Sequence, residues 1–111
     1  MAYNLELARR IRERLNSLAG LEEKKMFGGV GFLLGGNMAC GVNREDLMVR
    51  VHPDRNDELL ARPHTRPFDM TGRPMKGWLL VDPAGWQDEG ELAGWIREGV
   101  DYALTLPSKA K

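Results

Sequence analysis

Four cations, a histidine and a tryptophan fall within the segment from Arg62 to Trp78: Arg62, His64, Arg66, Arg73, Lys76 and Trp78, with Asp69 as the one carboxylate among them. Guanidinium groups present N–H donors in a planar fork. Such a set could therefore take a phosphate, a carboxylate or an acidic protein surface. Lys76 and Trp78 are two residues apart, which on a strand puts them on one face as a cation–aromatic ligand patch. The competing reading is a set of ion pairs inside the fold. Arg66 or Arg73 would then pair with Asp69 or with the acidic last helix, and Trp78 would pack under a helix.

The single cysteine, Cys40, raises a second chemistry, a thiol nucleophile with His52 or His64 as base. That needs a lowered thiol pKa and an accessible sulfur. Cys40 lies among Met38, Ala39 and Val42, in the middle of a strand-like run, where a cysteine acts as a small buried hydrophobe. Period two expects it on one face with Met38 and Val42. The lone thiol also excludes an intrachain disulfide and a Cys-based zinc site. The two histidines lack the spacing of a metal pair, so neither a metal nor a cofactor is expected. The carboxylates collect in turns and helix starts, where capping accounts for them.

The glycine-rich stretch Met26–Val42, MFGGVGFLLGGNMACGV, is a third candidate, as a phosphate cradle. A P-loop requires Gly-Lys followed by Ser or Thr, which is absent, and the dinucleotide fingerprint fails at Leu34. These glycines instead suit bulges and tight turns within a small sheet.

The elements around these residues follow from periodicity. Leu7, Ile11, Leu15 and Leu18 predict an amphipathic helix over residues 3–18, capped by Asn4 and stopped by Gly20. Short strands are predicted over Glu23–Phe27, Val30–Leu34, Met38–Val42 and Leu47–Val51, with a turn at Gly35-Gly36-Asn37. Leu47, Val49 and Val51 are expected to face the core, and Arg50 and His52 to face out. A short helix starts at Pro53 and stops before Pro63. An irregular edge strand near Pro67 is followed by a turn at Thr71–Pro74, a strand over Met75–Val81 and a turn at Asp82–Gly85. Asp88 and Glu91 cap a final helix with an apolar stripe through Leu92, Trp95, Ile96, Gly99, Val100, Ala103 and Leu104. Strands and helices are segregated. The expectation is an α+β two-layer domain over residues 1–107, with an antiparallel sheet, N- and C-terminal helices and one short middle helix. Ser108–Lys111 reads as a disordered tail.

Sixteen Lys plus Arg balance sixteen Asp plus Glu over the 111 residues. That removes the net basic field typical of a nucleic-acid binder. The balance is uneven: residues 62–76 hold four cations against one carboxylate, and residues 77–106 hold six carboxylates against one arginine. Oriented association with a partner suits that asymmetry. Arg9, Arg10, Arg12 and Arg14 interleave with Glu6 and Glu13, as on a solvated helix face. No apolar run is long enough to span a bilayer, and no secretory signal is present, so a cytoplasmic location is expected.

Met26-Phe27-Gly28-Gly29-Val30-Gly31-Phe32, the Asn37-Met38-Ala39 hairpin, Leu47-Met48-Val49-Arg50-Val51 and Gly72-Arg73-Pro74-Met75-Lys76-Gly77-Trp78 resemble the N-terminal domain of TfoX-type competence regulators. The likeness runs in order over about residues 5–106, with MFGG before a glycine-bearing hairpin as its most specific part. It implies a two-layer α+β fold akin to type III secretion chaperones, and a regulatory or interaction module rather than an enzyme. It carries no catalytic motif. The function expected is thus a non-enzymatic cytoplasmic module that binds a protein partner, with a homodimer as one form. The alternative is a small-anion or nucleotide-binding protein, enzymatic or not, that uses Arg62, Arg66, Arg73 and Lys76.

Overall fold

The structure, a computed structural model, describes residues 3–26, 28–68 and 75–107. Phe27, Asp69, the expected turn at Thr71–Pro74 with Arg73, and the expected tail Ser108–Lys111 lie outside the described residues.

The first helix, α1 (Leu5–Leu15), buries Leu7, Ala8, Ile11 and Leu15 on one face. Asn4 caps it, its Oδ1 accepting from the Leu7 N–H at 2.8 Å. It is shorter than the expected 3–18 because Asn16–Gly20 turn the chain, with Gly20 at φ 79°.

Six strands follow: β1 (Leu21–Met26), β2 (Gly29–Leu34), β3 (Asn37–Asn43), β4 (Asp46–Arg50), β5 (Thr65–Pro67) and β6 (Trp78–Val81). They form one sheet in the order β1-β2-β3-β4-β6-β5, antiparallel at every pairing. Gly35 and Gly36 lie at φ 58° and 84°, as the two central residues of a type I′ hairpin must. The turn is therefore those two glycines, and Asn37 already pairs with Leu34 in the ladder. The last strand begins at Trp78 rather than Met75. Gly77 at φ 87° and the Trp78 N–H bond to the Met75 carbonyl make Met75–Gly77 a turn.

One expectation about side-chain direction is overturned. Phe32 pairs with Cys40, but the next residue, Leu33, pairs with Met38. Ala39 is thus an inserted residue, a β-bulge, and it breaks period two at that point. Cys40 and Val42 stay on the helix side, while Met38 turns to the opposite face with Met48, Phe68 and Leu80. Leu47, Val49 and Val51 face the helices as expected.

Between β4 and β5, Pro53–Arg55 form a 3-10 turn that leads into α2 (Asn56–Leu60). The expected turn at Asp82–Gly85 is a one-turn helix, α3 (Pro83–Trp86), started by proline at its first position. The final helix, α4 (Glu89–Thr105), begins at Asp88, whose carboxylate accepts from the Glu91 N–H at 3.0 Å.

α1 and α4 cover one face of the sheet. The main core lies between them and Val30, Phe32, Cys40, Val42, Leu47, Val49, Leu79 and Val81. Burying side chains of this size contributes about 1.5–3 kcal/mol each before entropy is counted. The other face carries a smaller cluster of Met38, Met48, Phe68 and Leu80, flanked by Leu33, Met75 and Trp78. Among the described residues, no helix is long and apolar enough to cross a membrane.

Candidate functional site

Among the described residues, the candidates from Arg62 to Trp78 do not gather in one place. Arg62 follows α2 and lies over the Trp95 ring of α4, its guanidinium carbon 5.0 Å from the ring centre, on the helix side. His64 is exposed at φ 64°, in the turn before β5. Arg66 is on β5 and points to the opposite face. It is occupied there by the carboxylates of Asp46 and Asp82, which hold its charge firmly in place. That is the ion-pair reading, with Asp46 and Asp82 as partners; the expected Asp69 lies outside the described residues. Lys76 is exposed in the turn before β6, and Arg73 is outside the described residues.

Trp78 does meet a cation, but the cation is Arg50. The two are direct cross-strand partners on β4 and β6, with the guanidinium carbon 5.1 Å from the Trp78 ring centre. Arg50 ends its strand, so its side chain also reaches α4. There it lies 5.4 Å from the centre of the Tyr102 ring. His52, two residues on, meets Tyr102 edge-on at 5.4 Å. The His52 ring accepts through Nδ1 from the Asp54 N–H at 3.0 Å, which orients the ring.

Local structure holds this group firmly. Val51 N–H donates to the Gly77 carbonyl at 2.8 Å, and Gly77 N–H donates to Asn56 Oδ1 at 2.8 Å. The end of β4, the start of β6 and α2 are therefore tied together beside Trp78. Arg55 binds Glu98 and fastens the same turn to α4, one turn before Tyr102.

Arg50 differs from the four arginines of α1 in its surroundings. On α1, Arg9 pairs with Glu6 and Glu13, Arg10 and Arg14 with Glu89, and Arg12 with Glu23. Among the described residues no carboxylate pairs with Arg50, which is half-buried between two rings. Both ring centres lie within 5.4 Å of the guanidinium carbon, and the residue is only partly exposed. A guanidinium held this way can take a carboxylate or phosphate through two parallel hydrogen bonds. Sequence reasoning placed Arg50 outward and singled out Trp78. It missed the pairing because the β4–β6 register joins residues far apart in the chain, and Tyr102 comes from another layer.

Cys40 is fully buried between Phe32 and Val49, its neighbours across the ladder. Burial pushes its thiol up to about 12, so the sulfur stays protonated and out of reach of solvent. Among the described residues, no cluster of three His, Cys, Asp or Glu side chains has the arrangement of a metal site.

No curated protein matches this chain. The family model of the TfoX N-terminal domain matches residues 13–103, which takes in all six strands and most of α4. The chain belongs to the TfoX N-terminal domain family.

Proposed function

We propose that this chain is a non-enzymatic cytoplasmic module of regulatory type that binds a protein partner, and that Arg50, flanked by Trp78 and Tyr102, is its docking contact. The observation that carries the reading is the half-buried Arg50, near two aromatic rings and with no carboxylate paired to it among the described residues. Arg, Trp and Tyr are the residue types that dominate binding energy in protein interfaces, above all where neighbours exclude water. The complementary group is an aspartate or glutamate on the partner, delivered beside an apolar side chain that can rest on the rings. The buried Cys40 thiol and the ion-paired Arg66 leave little support for a reaction centred on either.

The test is affinity capture from the native cell with three baits: the parent chain, Arg50→Gln and Arg62→Gln. Arg62 also lies on a tryptophan, but on the helix side and more exposed, so it controls for charge and for loss of a ring contact. A partner held by the parent and Arg62→Gln but lost with Arg50→Gln supports the site. Equal recovery with all three baits removes it.

A further inference from the structure

The two edges of the sheet are built differently. β5 is three residues long, contains Pro67, follows His64 at positive φ and has its one outward charge, Arg66, tied to Asp46 and Asp82. Apart from charged side chains, which β1 carries at residues 22–25, shortness and proline are the devices that keep an edge from pairing with another chain. β1 has neither. It runs six residues, LEEKKM, and pairs with β2 without a break in register from Leu21 to Met26. Residues 22–25 are all exposed.

The direction of its free backbone groups can be read from one bond. Gly35 N–H donates to the Gly20 carbonyl at 3.3 Å, in register with the β1–β2 ladder. Bonded and non-bonded pairs alternate in an antiparallel ladder. The backbone of Glu22, Lys24 and Met26 therefore points at β2, and that of Leu21, Glu23 and Lys25 points away from the sheet.

We propose that β1 pairs antiparallel with β1 of a second copy, about a two-fold axis through Glu23, to make one continuous twelve-stranded sheet. A two-fold axis perpendicular to a sheet keeps each side chain on its own face. The residues opposite one another must then differ by an even number, and the choice is between registers centred on Glu22, Glu23 or Lys24. Centred on Glu23, the outward backbone groups of Leu21, Glu23 and Lys25 meet those of the copy's Lys25, Glu23 and Leu21, three pairs that exchange two hydrogen bonds each. Glu22 then faces Lys24 of the copy, and Lys24 faces its Glu22. The one like-charged pair is Glu23 with its own copy. That carboxylate is already held by Arg12 on α1, whose second nitrogen is 2.8 Å from it. Centring on Lys24 or on Glu22 sets that residue against itself, and among the described residues neither has a compensating partner. The order Glu-Glu-Lys-Lys thus fits its own two-fold image in one register.

This pairing is separate from the Arg50 contact and does not depend on it. The test is sedimentation velocity on the full chain over a dilution series. The expected result is a reversible dimer whose Kd rises about tenfold or more with Glu22→Lys or Lys24→Glu, because each change turns two facing attractive pairs repulsive. An equimolar mixture of the two variants should recover the dimer, since each then supplies what the other lacks. Glu91→Lys, the same charge change on α4, controls for net charge. All three substitutions are at exposed positions, and thermal melts of each variant confirm folding. The proposal is overturned by a chain that stays monomeric at millimolar concentration, by a dimer indifferent to Glu22→Lys, or by variants that fail to rescue each other. Pairing with a foreign strand in place of a second copy would appear as the first of these.

Discussion

Arg50 and Trp78 face each other across β4 and β6, with the guanidinium carbon 5.1 Å from the ring centre. The same guanidinium approaches Tyr102 on α4, so one side chain connects the end of the sheet to the helix layer. A cation near a ring is worth about 0.5–1 kcal/mol at a partly exposed site. A double-mutant cycle of Arg50→Ala and Tyr102→Ala, followed by urea denaturation, should therefore give a coupling energy of about 0.5–1 kcal/mol. Zero coupling would mean that the ring contact does not persist in solution.

Two glycines of α4 should respond in opposite directions to alanine. At Gly94 an added Cβ meets nothing within 4 Å, so Gly94→Ala should gain about 0.5–1 kcal/mol from helix propensity. At Gly99 the Cβ would sit 2.1 Å from the Ala39 carbonyl oxygen, and Gly99→Ala should lose about 1–3 kcal/mol through forced repacking. Chemical denaturation of the pair reads both signs.

Burial raises the Cys40 thiol from 9.0 to about 12. A group whose folded pKa lies above its unfolded value contributes fully below the unfolded value and is lost as pH climbs through the folded one. Stability should therefore fall between about pH 9 and 12, with a slope from this group of up to about 1.4 kcal/mol per pH unit. Cys40→Ala should remove that part of the slope while costing some packing. A thiol reagent should react with the native chain only at the rate of unfolding.

On the acid side the sign reverses. Arg10, and then Arg14, hold the Glu89 carboxylate below its usual range, and Arg12 does the same for Glu23. Those contributions are present above the unfolded carboxylate value and disappear as pH falls below it. Glu89→Gln should flatten the acid limb of a stability–pH curve, and added salt should do the same in the parent, because these pairs are exposed.

Much of the fold was legible because it rests on local signals. Asn4 and Asp88 cap the helices that their positions suggested, and Leu47, Val49 and Val51 obey simple alternation. The departures share a cause. Ala39 inserts a residue, and nothing about an alanine announces a bulge; Met38 is turned over as a result. Asp82–Gly85 has turn composition yet winds into α3, because proline at a first helical position serves a helix as well as a turn. For the site, composition drew attention to the cations from Arg62 to Lys76. Charge density does not say which cations the fold will neutralise. Arg66 is taken up by Asp46 and Asp82, whereas Arg50, in an unremarkable alternating strand, meets rings and, among the described residues, no counter-charge.

The bulge at Ala39 also sets a height. Its carbonyl projects toward α4 where Gly99 leaves room for it, so the helix is seated on the sheet at that point much as a beam rests on a bearing. Tyr102 is carried one turn farther along the same helix, above Arg50. Raising the helix at residue 99 would lift that ring away from its cation. A buried backbone contact thereby calibrates a surface feature it never touches, and changes at residue 99 should be felt in partner affinity as well as in folding.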